Sequence, residues 1–456
     1  MVSLYAASKK IYPRSVEGVF AYWRWVFVWL TQILFYCLPW LEWGSRQAVL
    51  FDLGARRFYI FGLVLYPQDF IYLTGLLVIS ALALFLFTAV AGRLWCGYAC
   101  PQTVYSEIFL WIERKIEGDR SARMRLDDAN FSLEKLVKKW YKHIVWIFFS
   151  IWTGFTFVGY FTPIRDLTME FFLTTMSSWE LFWIFFYAFA TYGNAGFMRE
   201  QVCKYMCPYA RFQSAMFDHD TLIVTYDTER GEPRGPRSKK VGLAESNLGA
   251  CVDCSLCVQV CPTGIDIRNG LQYECIGCGA CADVCDTVMD KMGYARGLVR
   301  YSTQNAIRNK WSSAEIWARL RRPRIQVYTL ILSALVVGLL VSLSLRTPFK
   351  VDVVRDRASL ARITEYGTLE NVYRLQIMNA NETEQTYQLQ VKGLPNLQIK
   401  TDTEVVVEAA QSRWVVLRAD IPYGSAEAGS HKIQFLIQAK DSKDLVVEKS
   451  VFIVPR

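Results

Sequence analysis

The sequence predicts an α-helical membrane protein of about five transmembrane helices, joined to a Cys-rich module and a C-terminal all-β, immunoglobulin-like sandwich. Three observations predict this fold: long uncharged apolar stretches, two closely spaced runs of cysteines, and short alternating segments over residues 347–456. With 52% hydrophobic residues, the 456-residue chain is too apolar for a disordered protein. Its 13 cysteines are too few for a small disulfide scaffold, and the uncharged stretches exclude an ordinary soluble enzyme.

The uncharged stretches predict membrane spans, because a helix needs about 20 mostly apolar residues to cross the hydrocarbon core. The five stretches are Trp25–Leu41, Ile71–Ala91, Ile144–Ile164, Leu181–Met198 and Ile325–Leu345. The first and the fourth are shorter and carry polar residues, so a buried or re-entrant helix is the alternative for each.

The distribution of Lys and Arg predicts the orientation, because short cytoplasmic loops hold the excess of positive charge. Residues 93–142 contain ten Lys or Arg, whereas residues 42–70 contain three and residues 162–178 contain one. We therefore expect a multi-pass membrane protein with the N-terminus and residues 199–324 in the cytoplasm and the chain after Leu345 on the outer side of the membrane. Topology and contact with lipid head groups account for the net charge of +9, and no nucleic-acid partner is expected.

The predicted domains follow from changes in composition along the chain. Residues 1–225 form a tail and a four-span bundle, 226–240 a linker rich in Gly, Pro and charge, 241–295 a Cys-dense module, 296–346 a basic connector with the last span, and 347–456 the sandwich. Alternating segments such as VYRLQIM and KIQFLI, separated by Gly, Asn and Asp, are typical of sandwich strands.

The Cys-dense module carries two runs with the spacing C-x2-C-x2-C-x3-C. In two-cluster ferredoxins, three closely spaced cysteines hold one cluster and the fourth ligand comes from the other run. We therefore assign one 4Fe–4S cluster to Cys251, Cys254, Cys257 and Cys285, and the second to Cys275, Cys278, Cys281 and Cys261. Zinc ribbons use pairs of cysteines with longer gaps, and disulfides are disfavoured in the cytoplasm. The module is thus a ferredoxin-like, two-cluster electron carrier.

A second set of cysteines follows the second and fourth predicted spans. Cys96 and Cys100 lie in WCGYACPQ, and Cys203 and Cys207 lie in VCKYMCPYA, so both pairs have the pattern C-x-Y-x-C-P. On a helix this spacing places two sulfurs one turn apart on one face, and the two pairs could converge on one site. Thiolates select Cu(I), iron–sulfur clusters or zinc. Three interpretations stay open: copper binding or reduction, a further iron–sulfur centre or other cofactor, and a structural or redox dithiol role.

These motifs resemble those of the CcoG/FixG/RdxA family, accessory proteins of cbb3-type cytochrome oxidase, over essentially the whole chain. The segments that carry the resemblance include WCGYACPQTVYSEIF, VCKYMCPYARFQSAMF, CIGCGACADVC and KMGYARGLVRYST. The C-terminal sandwich is similar to the immunoglobulin-like domain of that family, and the paired membrane-edge motifs are more distantly similar to NapH-type membrane ferredoxins.

The resemblance implies a cupric reductase that converts Cu(II) to Cu(I) for copper delivery during oxidase assembly. In that role the eight ferredoxin cysteines carry electrons, and Cys96, Cys100, Cys203 and Cys207 bind copper or lie beside it. The implied location is the bacterial inner membrane, with the C-terminal sandwich in the periplasm. The implied partners are the membrane, copper or copper chaperones, and oxidase subunits or assembly factors; a homodimer is one option. Two alternatives remain: a membrane ferredoxin subunit that serves a quinone or partner enzyme without copper, and an assembly scaffold. The sequence assigns no role to His143 or His219.

Overall fold

The computed structural model describes residues 10–238, 247–356, 361–442 and 444–455. Two compact units share this chain. The first contains residues 1–41 and 76–336, and the second contains residues 42–75 and 337–456. Each unit is therefore built from two separate stretches of sequence.

The first unit is mainly helical. Its helices up to residue 216 are α1 (Val19–Cys37), α2 (Phe70–Ala91), α3 (Leu94–Tyr98), α4 (Pro101–Glu117), α5 (Arg120–Asp128), α6 (Leu133–Val158), α7 (Ile164–Leu173), α8 (Ser178–Thr191) and α9 (Pro208–Met216). Two π-helical segments, Tyr192–Met198 and Val202–Met206, connect α8 to α9. Further helices follow at Thr228–Gly231, Leu256–Gln259, Ala280–Met292, Gln304–Arg308 and Ser313–Ala318, before the long helix Pro323–Ser344. Part of α2 and of this last helix belongs to the second unit.

Among the described residues, two helices are long and apolar enough to cross a membrane. They are Pro323–Ser344 and α2 with its preceding turn, Pro67–Ala91. Both coincide with predicted spans. The other three predicted spans overlap α1, α6 and α8, but α8 has only 14 residues before the π-helical segment begins. Five spans therefore remain a prediction, whereas two candidate membrane helices are observed.

The C-terminal part is a sandwich of two antiparallel sheets, which confirms the predicted all-β domain. Its strands are β8 (Phe349–Arg355), β9 (Arg362–Ile363), β10 (Thr368–Asn379), β11 (Gln385–Lys392), β12 (Gln398–Ile399), β13 (Glu404–Val407), β14 (Ser412–Pro422), β15 (Gly429–Ala439) and β16 (Leu445–Val454). One sheet has the order β12-β14-β10-β8, with β9 beside β10, and the other has the order β13-β11-β15-β16.

Alternation of apolar side chains builds the core between these sheets. On β10, Tyr373, Leu375 and Ile377 are all fully buried, whereas Arg374 between them is exposed. The ring of Tyr373 packs edge-on against Phe435 of the facing sheet, with centroids 4.9 Å apart. A period of two places alternate side chains on opposite faces of a strand, which is why this pattern predicted the sandwich.

Residues 42–65 differ from the sequence prediction, which placed them in the membrane bundle. They form five short strands, β1 (Glu42–Trp43), β2 (Arg46–Gln47), β3 (Val49–Asp52), β4 (Arg57–Ile60) and β5 (Leu63–Leu65). Strands β3, β4 and β5 form one antiparallel sheet. Leu50, Tyr59 and Val64 of this sheet bury their side chains against Met378 and Ala410 of the sandwich. The segment therefore belongs to the second unit, because burial of these apolar residues favours that packing.

The Cys-dense module also extends beyond its predicted limits of 241–295. Strand β6 (Ile223–Tyr226) pairs antiparallel with β7 (Val299–Ser302), so the segments that flank the module meet. Val224 and Val299 are buried in one apolar core with Met289 and the half-buried Cys257. This small sheet brings the start and the end of the module together.

Candidate metal centres

Four cysteines line a first small cavity inside the module: Cys251, Cys254, Cys257 and Cys285. Apolar side chains such as Leu256, Val288 and Met289 complete its wall. The spacing of the motifs predicts that these four cysteines hold one 4Fe–4S cluster, and the structure brings them together around one space.

A second small cavity lies beside the first. Its wall contains Cys261, Cys275, Cys278 and Cys281, the four cysteines assigned to the second cluster. Cys257 lines both cavities. The two predicted cluster sites are therefore neighbours, as electron transfer between them requires.

The helix Ala280–Met292 explains how the two cysteine runs interleave. Cys281 and Cys285 lie one turn apart on this helix, yet Cys281 faces the second cavity and Cys285 faces the first. Gly277 and Gly279 precede the helix with positive φ angles of 65° and 72°. Glycine adopts such angles at little cost, which allows the chain to wrap closely around the second cavity.

Burial changes the acidity of the ferredoxin thiols. Desolvation raises the pKa of Cys257 to about 11 and that of Cys285 and Cys275 to about 12. A low-dielectric environment disfavours a lone thiolate, so ligation by iron must replace each proton. Eight thiols around two small, mostly apolar cavities thus fit two cubane clusters, each of which takes four thiolates.

The remaining predicted site residues lie where two helices begin. Cys100 and Cys207 occupy the N-cap positions of α4 and α9, and a proline takes the first helical position in both cases. Cys96 lies on α3, whereas Cys203 lies in the π-helical segment Val202–Met206. In each C-x3-C-P motif the proline therefore begins a helix, although the backbone before the proline differs between the two motifs. We refer to Cys96, Cys100, Cys203 and Cys207 as the membrane-edge quartet.

The members of the quartet are close neighbours. A charge on Cys100, Cys96 or Cys207 raises the pKa of Cys203, and a charge on Cys100 or Cys207 raises that of Cys96, so the four thiols lie within electrostatic reach of one another. Burial is the main cause that raises the pKa of Cys96 to about 11 and that of Cys203 to about 12. The amide Nε2 of the fully buried Gln213 donates a hydrogen bond of 3.2 Å to Cys96 Sγ. The structure thus brings the two predicted pairs to one place.

The quartet adjoins the second ferredoxin cavity. Gly97, which lies between Cys96 and Cys100, is so close to the backbone of Gly277 and Cys278 that an added Cβ would lie 2.8 Å from the Gly277 oxygen. Cys96 packs in one apolar cluster with Ile276 and Cys278. On the other motif, Lys204 Nζ donates a hydrogen bond of 2.9 Å to the carbonyl of Thr263. Both motifs therefore contact the loops that hold the second set of cluster cysteines.

Sequence reasoning missed the buried Arg93, which lies three residues before Cys96. Its guanidinium donates hydrogen bonds to the carbonyls of Cys275, at 3.5 Å, and Ala210. Burial raises the pKa of Cys96, Cys203 and Cys275, and the positive charge of Arg93 offsets part of that rise. Its position immediately before a cysteine motif was an available signal, although in the sequence Arg93 counts only as one of ten basic residues in a predicted cytoplasmic loop.

The histidines and the two motif tyrosines differ in their surroundings. His143 accepts or donates a hydrogen bond of 2.9 Å with the Tyr192 hydroxyl, and His219 pairs with Gln304 at 2.5 Å. Tyr98 is buried, and its hydroxyl lies 3.3 Å from that of Tyr301. Tyr205, at the matching place in the second motif, is exposed. Within the described parts of the chain, no three Cys, His, Asp or Glu side chains are grouped closely enough to hold a single metal ion.

Two adjacent four-cysteine cavities and two helices apolar enough to cross a membrane define a membrane-associated iron–sulfur electron-transfer protein. Family profiles agree with this class: residues 198–304 match a 4Fe-4S dicluster domain, residues 73–118 a 4Fe-4S binding domain, and residues 339–455 the "IG-like fold at C-terminal of FixG". The chain belongs to the FixG/RdxA family, which confirms the resemblance found in the sequence.

The relatives cover most of the chain. It is 39% identical to the nitrogen fixation protein FixG of Rhizobium meliloti over 423 residues, which is 86% of this chain and 81% of that protein. It is 38% identical to protein RdxA of Cereibacter sphaeroides over 453 residues, 96% of this chain and 95% of that protein. Among solved structures, a FixG-related protein from Vibrio parahaemolyticus covers 24% of this chain and 97% of its own, with 26% identity and a TM-score of 0.22.

Proposed function

We propose that this protein is a cupric reductase, which passes single electrons from its ferredoxin module to Cu(II) and releases Cu(I) for assembly of a cbb3-type oxidase. The observation that carries the proposal is the contact between Gly97 and the Gly277–Cys278 backbone, which joins the membrane-edge quartet to the second ferredoxin cavity. Electron transfer needs donor and acceptor close together, and this contact supplies that proximity.

The chemistry is a one-electron reduction, Cu(II) + e⁻ → Cu(I), with no bond formed or broken in the substrate. Bound 4Fe–4S clusters supply single electrons over a wide range of potentials. Soft sulfur ligands stabilise the cuprous product. Copper therefore meets the protein at the membrane-edge quartet, where thiols are most concentrated outside the ferredoxin module. The buried charge of Arg93 lies beside the same place and favours electron arrival.

The proposed topology has five spans. The ten Lys and Arg residues in 93–142 support a cytoplasmic location for the quartet and the ferredoxin module. The sandwich then lies in the periplasm, where it would dock oxidase subunits or assembly factors. Cysteine-accessibility labelling in intact cells tests this arrangement, with single cysteines placed at exposed positions such as Lys310 and Tyr423 of an otherwise labelling-silent protein.

The experiment that tests the activity compares three forms of the full chain with intact ferredoxin clusters. The parent and a Cys37→Ser control should reduce Cu(II) at equal rates, since Cys37 is exposed at the end of α1 and belongs to neither cysteine motif. A variant with all four quartet cysteines replaced by serine should lose most of the activity. Equal rates for all three forms, with unchanged ferredoxin spectra, would exclude the quartet as the place where copper is reduced.

A membrane ferredoxin that serves a quinone is the second candidate, and one observation favours it. A small cleft is lined by Cys203, by Pro262, Thr263 and Ile276 of the ferredoxin loops, and by charged side chains that include Arg199. Concave sites that combine apolar walls with a few polar groups are typical of small-molecule binding. Reduction or oxidation of the clusters by a short-chain quinone, with no response to copper, would favour this function over cupric reduction.

A further inference from the structure

We propose that the hydroxyls of Tyr98 and Tyr301 form a hydrogen-bonded chain that positions the turn around Cys278 and adjusts the reduction potential of the second ferredoxin cluster. Both tyrosines are positioning residues, because they act on the backbone of the turn and not as cluster ligands. The inference concerns the ferredoxin module itself, so it holds whether copper or a quinone receives the electrons.

Tyr301 contacts the turn on both sides of Cys278. Its hydroxyl donates a hydrogen bond of 2.6 Å to the carbonyl of Gly277, a normal length for an O–H···O bond. A Cβ added to Gly279 would lie 3.1 Å from the same hydroxyl oxygen. One hydroxyl therefore lies against both neighbours of a cysteine assigned to the second cluster.

The ring of Tyr301 is held by contacts that do not need the hydroxyl. Tyr301 lies on β7 and pairs with Val224 of β6 through the backbone. Its ring packs against that of Phe20 on α1, with centroids 4.9 Å apart. Aromatic packing of this kind depends on the ring and not on the phenol oxygen. A Tyr301→Phe substitution should therefore remove the hydrogen bond and leave the ring in place.

Tyr98 supplies the second hydroxyl of the chain. It is buried, and its hydroxyl oxygen lies 3.3 Å from that of Tyr301. A phenol carries one proton, and Tyr301 gives its proton to the Gly277 carbonyl, which can only accept. Tyr98 is therefore the donor to Tyr301. Aligned hydrogen bonds polarise one another, although the length of 3.3 Å makes the contribution of Tyr98 the smaller one.

The chain connects the first membrane-edge motif to the turn by a second contact. Gly97, beside Tyr98, already packs against the backbone of Gly277 and Cys278. Tyr205 occupies the matching place in the other motif, but it is 63% exposed. The tyrosine that the two motifs share thus reaches the ferredoxin module only from the first motif, and Tyr205 provides a matched control.

The direction of the chain predicts the sign of its effect on the potential. Both O–H groups point their protons toward the Gly277 oxygen, so they offset the negative end of that carbonyl next to Cys278. Reduction adds an electron to a cluster, and hydrogen bonds around the cluster help to set its potential. Without the chain the carbonyl is unopposed and the added electron is less favourable. The midpoint potential of the second cluster should then become more negative.

The test is a redox titration of the anaerobically purified full chain, followed by electron paramagnetic resonance. The second-cluster signal is the one that changes in a Cys278→Ser variant. At the potential where half of this signal is reduced in the parent, less than half should be reduced in Tyr301→Phe. Tyr98→Phe should shift the signal in the same direction by less, and Tyr205→Phe should titrate as the parent. The first-cluster signal should not move in any of the phenylalanine variants.

A double variant distinguishes one chain from two separate effects. With Phe at position 301, the Tyr98 hydroxyl has lost its acceptor, so the double variant should titrate as Tyr301→Phe alone. Shifts that add in the double variant would overturn the proposal.

Iron and acid-labile sulfide content separates positioning from loss of the cluster. All phenylalanine variants should keep the parent content. If Tyr301→Phe loses iron, Tyr98→Phe still tests the chain, because it leaves the bond to Gly277 intact. A Tyr98→Phe protein with the second-cluster potential of the parent would overturn the proposal. These readouts do not use copper, so failure of the cupric reductase activity and failure of the hydroxyl chain are separately visible.

Discussion

The carboxylate of Asp283 accepts a hydrogen bond of 2.7 Å from the backbone N–H of Ala21. Its other oxygen accepts a bond of 3.1 Å from the N–H of Phe20. Asp283 lies between Cys281 and Cys285 on the ferredoxin helix, whereas the two N–H groups belong to the first turn of α1. Free N–H groups at a helix start attract a carboxylate through hydrogen bonds and the helix dipole. The cluster-binding helix thus caps the first helix of the chain.

Replacing Asp283 by alanine should therefore loosen the ferredoxin module from α1. Loss of an N-cap typically costs about 0.5–2 kcal/mol, and the buried position of this carboxylate places the cost at the upper end. Thermal unfolding of the anaerobic protein and limited proteolysis around residue 18 measure the effect. Asp290→Ala on the same helix is the matched control, since its ion pair with Arg296 is solvent-exposed and should leave both readouts unchanged. Equal behaviour of the two variants would contradict the capping role.

The close approach at Gly97 gives a second prediction. In Gly97→Ala the new methyl group would meet the Gly277 oxygen and the Cys278 Cα at 2.8 and 2.9 Å, so the backbone must shift. Overpacking of this kind costs about 1–3 kcal/mol and should displace the loop that holds the second ferredoxin cluster. We expect partial loss of iron and a lower unfolding temperature. Gly193→Ala is the control, because its Cβ would meet no atom within 4 Å. If the G97A protein kept the full iron content and the unfolding temperature of the parent, the packing of residue 97 against the Gly277–Cys278 backbone would not be tight.

Arg93 should adjust the reduction potentials of the neighbouring metal centres. Reduction adds negative charge, which a buried guanidinium stabilises. In Arg93→Met the midpoint potentials of the metal centres should therefore become more negative. We expect a shift on the order of tens of millivolts, because a partly polar interior weakens the effect of a single charge. Arg93→Lys keeps the charge and should shift them less. Redox titration followed by electron paramagnetic resonance provides the measurement, and an unchanged or more positive potential in the methionine variant would contradict the electrostatic role.

The local chemistry of the candidate sites was predictable, whereas their mutual arrangement was not. The spacing assigned Cys261 to the second cavity and Cys285 to the first, because in two-cluster ferredoxins the fourth cysteine of each run ligates the other cluster. The contact of Gly97 with Gly277 joins residues far apart in sequence, and no local pattern encodes it. Arg93 carries no motif of its own, since a basic residue at a membrane edge usually marks topology.

The absence of a local sequence signal also explains why the short strands of residues 42–65 were not predicted. Its strands have two to four residues each, too short for a reliable period-two pattern, and its apolar partners Met378 and Ala410 lie more than three hundred positions away. Between two predicted spans, such a segment has the composition of an ordinary connecting loop. By contrast, strand β10 has 12 residues with clear alternation, so the sandwich was predictable from sequence.

Glu113 anchors a buried network of charges and gives a prediction about pH. Its carboxylate lies 2.9 Å from Arg199, 3.2 Å from Arg123 and 3.6 Å from Lys142. Burial alone would raise the pKa of Glu113, but Arg199, Lys142 and Arg123 outweigh it, and the pKa is lowered. Because the folded-state pKa lies below the unfolded one, the stabilisation is complete above about pH 4.3, the ordinary value for glutamate, and is lost as the pH falls through the folded-state value.

Replacing Glu113 by glutamine should destabilise the first unit by about 3–5 kcal/mol at neutral pH, because three cations then lose their buried counter-charge. The difference between parent and E113Q should shrink under acid conditions. Thermal unfolding in detergent over a pH series provides the measurement. Glu134→Gln is the control: its pair with Lys138 is exposed, and its loss should not change the unfolding temperature. If E113Q were less stable than the parent by the same amount at every pH, including acid pH, the assigned ionisation of Glu113 would be wrong.

The last prediction concerns the small sheet formed by residues 49–65. Leu50 is buried against the sandwich, whereas Leu53, three residues later at the turn, is 62% exposed. Leu50→Ala should leave a cavity at the contact and destabilise the second unit by about 2–5 kcal/mol. Leu53→Ala shortens an identical side chain that is exposed to solvent, so the free energy of unfolding should not change. Calorimetry of the full protein in detergent measures both. If the two substitutions lower the unfolding temperature equally, the effect comes from the membrane-proximal loop itself, and the packing of this sheet on Met378 and Ala410 does not stabilise the sandwich.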